Sequence, residues 1–191
     1  MIIVKVPYRI SFVGGGTDFK NFFTKKKSIV VNSTINKFLY IIFSENPIDA
    51  PKRHKFSYSK IEEVDNVDNL KHPLLRYFFK DKIFKNFNIN LSIKNDMAYS
   101  SGLGGSSALT VGLIMIKNYL YKKKYNKEKI FEEAVHIERN ILKEYGGVQD
   151  QAACSFGGFN KFLFYKNNIK QQSISLKKTS NISKNLYLMY V

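Results

Sequence analysis

The segment Ser100-Ser101-Gly102-Leu103-Gly104-Gly105-Ser106-Ser107-Ala108 contains the residue types that can hold a phosphate. Glycines let backbone N–H groups approach an anion closely, and a helix starting beside Ser106 adds unpaired donors and the positive end of its dipole. Ser106 or Ser107 can equally cap that helix with no ligand present, so the segment alone leaves both roles open. A P-loop is excluded because no lysine lies at the helix start, and a nucleophile elbow because Ala108 stands where a glycine is needed. The earlier triplet Gly14-Gly15-Gly16 fails as a dinucleotide fingerprint. Phe19 occupies the third position of that pattern, and no acidic residue follows about 20 residues on.

Two carboxylates stand out further along. In the segment Lys127 to Tyr145, Phe131, Val135, Glu138 and Leu142 recur at helical spacing, which places Glu138 along an otherwise apolar stripe. An ionised carboxylate facing a core needs a partner, and either a magnesium ion or a salt bridge would supply one. Asp150, in Gly147-Val148-Gln149-Asp150-Gln151, reads as a turn residue that could accept a hydroxyl proton or brace a loop. His136 lacks a Cys or His partner at metal-ligand spacing and is structural.

The elements that must position these groups follow from patterning. Residues 2–13 read as one or two strands ending in the glycine triplet, and 28–35 and 37–44 as two strands around Asn36. A polar loop, 45–55, leads to a short strand at 55–59. A short helix is expected over 70–79 with Pro73 in its first turn, and a strand over 88–93. Residues 106–121 are apolar almost all round, as in a buried helix, and 127–145 form an amphipathic helix stopped by Gly146-Gly147. The last strands are expected at 158–165, 169–176 and 186–191.

The chain of 191 residues is 44% hydrophobic with 16 Phe and 12 Tyr, enough for a proper core. Its formal charge of +16 favours anionic partners without choosing among RNA, membrane and phosphorylated metabolites. The single cysteine, Cys154, fits a reducing compartment, no secretion signal is visible, and no run of about 18 apolar residues suggests a membrane span. A cytoplasmic location is expected. The sequence stops inside the apolar run Leu186 to Val191, which reads as a truncated edge.

Taken in order, these segments resemble the GHMP kinases. Gly102-Leu103-Gly104-Gly105-Ser106-Ser107-Ala108 is similar to the family's glycine-serine loop with one inserted residue, with Ala98 where the family has proline and Gly105 where serine is common. Arg9-Ile10-Ser11-Phe12-Val13-Gly14-Gly15-Gly16-Thr17-Asp18 is similar to the sugar-recognition motif of the heptose 7-phosphate kinases. Tyr58-Ser59-Lys60, His72-Pro73-Leu74-Leu75-Arg76, Gln149-Asp150-Gln151-Ala152-Ala153 and Phe156-Gly157-Gly158-Phe159-Asn160 recur in the same group. The resemblance covers the whole chain.

It implies an α+β domain of the two-layer ribosomal protein S5 domain 2-like fold with its left-handed β-α-β unit. Residues 1–191 would be the N-terminal domain, and a C-terminal domain carrying another glycine-rich motif would be absent. The implied activity is ATP-dependent phosphorylation of the anomeric hydroxyl of D-glycero-D-manno-heptose 7-phosphate, feeding polysaccharide synthesis. ATP would lie at Ser101, Gly102, Leu103, Gly104, Gly105, Ser106 and Ser107, with Mg2+ on Ser107 and Glu138. Asp150 matches the catalytic base, Arg9 an arginine near the transferred phosphate, and Gly15, Gly16, Thr17 and Asp18 the sugar-binding loop. Small-molecule substrates are thus the expected partners, rather than nucleic acid or membrane. Two competing readings are a basic nucleic-acid-binding module on the same fold and a non-catalytic kinase remnant. Against the first, the glycines, serines and carboxylates gather at one sequence-defined site, whereas RNA binders cluster Arg and exposed aromatics.

Overall fold

The computed structural model describes residues 1–46, 53–166, 168–175 and 186–187. The chain begins with β1 (Ile2–Val13), a short α1 (Lys20–Phe23) and β2 (Ser28–Glu45). The hairpin strands β3 (His54–Ser57) and β4 (Ile61–Val64) come next, then α2 (Pro73–Phe79) and β5 (Ile89–Asn95). The second half holds α3 (Gly105–Leu120), α4 (Lys127–Val135), α5 (Gln149–Phe156), β6 (Phe159–Tyr165) and β7 (Asn168–Ser173).

All seven strands form one mixed sheet in the order β4-β3-β5-β2-β6-β7, with β1 paired to β2. Only the β3–β5 pairing is parallel among these. β2 is the spine: β1 pairs with it from Val31 to Phe43, while β6 takes residues 28–33 and β5 residues 39–45. The expected break at Asn36 is therefore absent, although its local signal has a cause. Burial in β2 switches from Ser28, Val30 and Asn32 to Leu39, Ile41 and Phe43, a change of parity, and the register with β1 shifts between Pro7 and Arg9. An irregularity bends one continuous strand where the sequence suggests a turn between two.

The helices α3 and α5 pack on β1 and β2, and α4 packs on α3 and α5, which gives the two-layer α+β arrangement. α3 is apolar nearly all round, with residues 107–114 and Ile116 buried. Fully burying side chains such as Leu113 and Ile114 stabilises the fold by roughly 1.5–3 kcal/mol each. An aromatic group, Phe43, Phe56, Phe78, Phe79 and Phe84, fills the core beneath α2, and a smaller cluster joins Val30, Phe131, Ala152, Phe162 and Phe164.

Two expectations about helices need correction. The helix expected over 127–145 is α-helical only to Val135; it continues as a π-helical turn over His136–Ile141 and then gives way to a loop. Asp150 lies in the first turn of α5, not in a loop turn. The strand β4 had no counterpart in the sequence reading. Leu176 and residues 188–191 of the last expected strands lie outside the described residues. Among the described residues, no helix is long and apolar enough to cross a membrane.

Candidate active site

α3 starts with Gly104 as its N-cap, in a left-handed conformation (φ 80°) and with no side-chain cap bond. The open role for Ser106 and Ser107 as caps is thereby settled, because both lie inside the first turn. A Cβ on Gly104 would also come within 3.2 Å of Arg9 Cγ, so a glycine suits the position on both counts. The helix N-terminus is left without a side-chain acceptor, as an anion site requires.

Arg9 ties this loop to α5. Its Nε and Nη2 donate to Asp150 Oδ1 and Oδ2 at 2.7 and 2.8 Å, and its Nη1 donates to Gly102 O at 2.7 Å. The planar guanidinium makes a bidentate pair that fixes the direction of the carboxylate as well as its distance. The Arg9 backbone N–H adds a bond to Leu103 O at 3.0 Å. β1 thus holds the glycine loop and Asp150 side by side, although 141 residues separate Arg9 from Asp150 in the chain.

These groups open onto a cleft of about 480 Å³. The loop residues Ser101, Gly102, Gly104, Gly105 and Ser106 line it with Arg9 and Asp150, as do Tyr8, Tyr58, His72, Asn95 and Tyr99. Burial pushes the Tyr8 phenol up to about 12, and its hydroxyl donates to Asn95 Oδ1. Tyr58, also pushed up to about 12 by burial, donates to the buried Glu62 and meets the His72 ring edge-on. Burial lowers the His72 pKa against the opposing pull of Glu62. The cleft thus combines aromatic side chains with the open N-terminus of a helix, where anions are favoured.

Behind the cleft, Glu138 is 1% exposed and sits on the π-helical turn, a feature frequent at functional sites. Its Oε2 accepts from Ser107 Oγ at 3.0 Å and from Gln151 Nε2 at 2.6 Å, with Arg139 Nη2 at 3.6 Å. Oε1 is buried without a hydrogen-bond partner. Burial raises the Glu138 pKa, and the nearby Thr110, Gln151 and Arg139 only partly oppose it. Among the described residues no group of three or more His, Cys, Asp or Glu could hold a metal by itself. One carboxylate plus one hydroxyl is nevertheless the kind of partial oxygen set that magnesium takes when substrate phosphates complete its shell. Their 3.0 Å separation and the orphaned Oε1 are compatible with such an ion. The side chains of Ser107 and Glu138 do not line the cleft as it stands.

Asp18 is 1% exposed. Its Oδ1 accepts from Gly16 N and its Oδ2 from Gln149 N, both at 3.0 Å, so it joins the glycine triplet to the start of α5. A Cβ on Gly147 would lie 1.8 Å from Asp18 Oδ2, so only glycine admits this approach. The Thr17 hydroxyl bonds Gly14 O and Ser28 Oγ. Arg139 holds Gly147 O and Glu144 O, completing the loop before α5. Sequence reasoning missed Gln151, Arg139, and the pairing of Ser11 Oγ with Gln149 Oε1 at 2.8 Å. The available signal was the polar pair Gln149 and Gln151 flanking Asp150.

Residues 70–158 match the family of GHMP kinases N terminal domains. The chain carries a GHMP kinase N-terminal domain. The loop, Glu138 and Asp150 all fall inside the matched segment, whereas Arg9 and Asp18 precede it. The chain is 32% identical over 174 residues to a D-glycero-alpha-D-manno-heptose 7-phosphate kinase of Campylobacter jejuni, covering 87% of this chain and 51% of that protein. A homoserine kinase of Clostridium beijerinckii is 32% identical over 117 residues, 61% of this chain and 37% of that one. The chain therefore spans about half the length of the heptose kinase it matches, and less of the homoserine kinase. Its fold is shared with a D-glycero-D-manno-heptose 1-phosphate kinase from Bacteriodes thetaiotaomicron (TM-score 0.79, 23% identity, 92% of this chain and 60% of that one).

Proposed function

We propose that this GHMP domain belongs to an ATP-dependent sugar-1-kinase that phosphorylates the anomeric hydroxyl of D-glycero-D-manno-heptose 7-phosphate, yielding the 1,7-bisphosphate and ADP. The observation that carries the reading is Arg9 bonding both Asp150 and the carbonyl of Gly102, which sets a carboxylate beside the glycine-serine loop. Tyr8, Tyr58, His72 and Tyr99 would take the nucleotide's base, and residues 101–107 at the α3 N-terminus would hold its phosphates. Ser107 and Glu138 would hold Mg2+, which would supply neutralisation of phosphate charge.

Asp150 accepts the proton of the anomeric hydroxyl as that oxygen bonds to the γ-phosphorus and the bond to the ADP oxygen breaks. Arg9 fixes Asp150 before the reaction and faces the charge that gathers on the transferred group. Phosphoryl transfer depends on positioning and charge stabilisation, which is what an ion pair anchored on a strand and a helix offers. The Gly14–Asp18 loop, fastened to α5 through Asp18, lies where an acceptor beside Asp150 would be bound.

The similarity to homoserine kinases supplies a second candidate acceptor, so the test is a panel. ADP release is measured with Mg-ATP and the heptose 7-phosphate, other sugar phosphates or homoserine. Release that requires the heptose 7-phosphate supports the proposal. Release with homoserine alone would keep the kinase and reject the sugar.

A further inference from the structure

We infer that Ser11 and Gln149 form the contact that selects the acceptor, with Gln149 donating an amide N–H to a sugar hydroxyl oxygen. The inference rests on the kinase reading above and adds a specificity determinant to it. Arg9 and Ser11 are two residues apart on β1, and Gln149 and Asp150 are consecutive at the start of α5. Two cross-links therefore run side by side over the seam between strand and helix, Arg9 to Asp150 and Ser11 to Gln149.

The cleft under the glycine-serine loop reaches Arg9 and Asp150 but neither Ser11 nor Gln149. The second cross-link thus lies beyond the reacting carboxylate from the nucleotide, on the side of the glycine triplet. Gln149 Nε2 is 3.5 Å from where a Cβ on Gly15 would stand, and the Gln149 backbone N–H is anchored on Asp18 Oδ2.

The chemistry of the pair sets what it can read. Ser11, exposed, donates to Gln149 Oε1 at 2.8 Å, which ties the amide acceptor and orients the plane of the group. Nε2 then has no hydrogen-bond partner among the described residues, so both its donors are available beside Asp150. Neutral amide donors suit a neutral hydroxyl oxygen. Site groups built to hydrogen-bond a hydroxyl discriminate strongly against ligands that leave them unpaired.

The test uses Gln149→Met in the full-length protein, which keeps the side-chain length and removes the amide. The KM for the heptose 7-phosphate should rise about tenfold, the loss of one hydrogen bond, while kcat stays within about threefold. The KM for Mg-ATP should not move. Ser11→Ala should raise the sugar KM less, and the double variant should be no worse than Gln149→Met, because Ser11 acts through Gln149. An unchanged sugar KM, or a fall in kcat with Mg-ATP affected equally, would overturn the inference while leaving the kinase intact. Wild-type protein that transfers phosphate to no acceptor would overturn both readings.

Discussion

Burial of Glu138 among Ser107, Gln151 and Arg139 raises its pKa above the ordinary carboxylate value, so the folded chain retains this proton to higher pH than the unfolded chain. The stability linked to that proton is full below the ordinary Glu range and falls as pH rises through the raised value. Once ionised, this buried carboxylate destabilises the metal-free protein, and a bound cation would relieve that cost. Glu138→Gln keeps the shape and removes the charge. Its melting temperature without metal should exceed that of the wild type, with the gap widening as pH rises, while its magnesium requirement for activity should increase. A lower melting temperature together with an unchanged magnesium titration would make Glu138 a structural partner of Arg139 instead. At this scale the sequence was informative: the apolar stripe through Phe131 and Val135 marked Glu138 as a carboxylate facing inward. Periodicity alone named none of its neighbours, since Ser107 and Gln151 reach it from other helices; the family resemblance paired Ser107 with it, and Gln151 was missed.

Among the elements, α5 is the one whose position sets Asp150, and it was not legible locally. Its sequence is short, with Ala and Gln twice each and no apolar stripe, and its first N–H is satisfied by Asp18, 131 residues away. No window around residues 149–156 contains that acceptor. The π-helical turn was equally hidden, because only its hydrogen-bond step changes, from i→i+4 to i→i+5, while the apolar stripe runs on. The long buried α3 was legible from its continuous apolar run, and β6 from its alternation, with Asn160, Phe162 and Phe164 inward. The close contact of Gly147 with Asp18 gives the sharpest test of how α5 is held. Gly147→Ala must push the carboxylate or the helix start aside, and it should cost about 1–3 kcal/mol in urea unfolding, with loss of turnover. Wild-type stability in that variant would show that Asp18 is not packed against residue 147.

In the whole molecule, one sheet brings together parts of the sequence that no local reading could join. β2 receives β1 on one edge and β5 and β6 in succession on the other, so Arg9, the glycine-serine loop and the start of α5 converge. The high positive charge, +16, is a general field that favours anions of any kind, and under the proposed function the selection among them is made at the site. The central claim is that phosphate is transferred at the seam where Arg9 meets Asp150. It is tested most directly by following phosphate from ATP onto the heptose 7-phosphate with wild-type full-length protein and with Asp150→Asn, both verified as folded. The wild type should form the anomeric phosphate, and the variant should do so about 10²- to 10⁴-fold more slowly with Mg-ATP affinity within a few-fold. Transfer by Asp150→Asn at the wild-type rate would contradict the account.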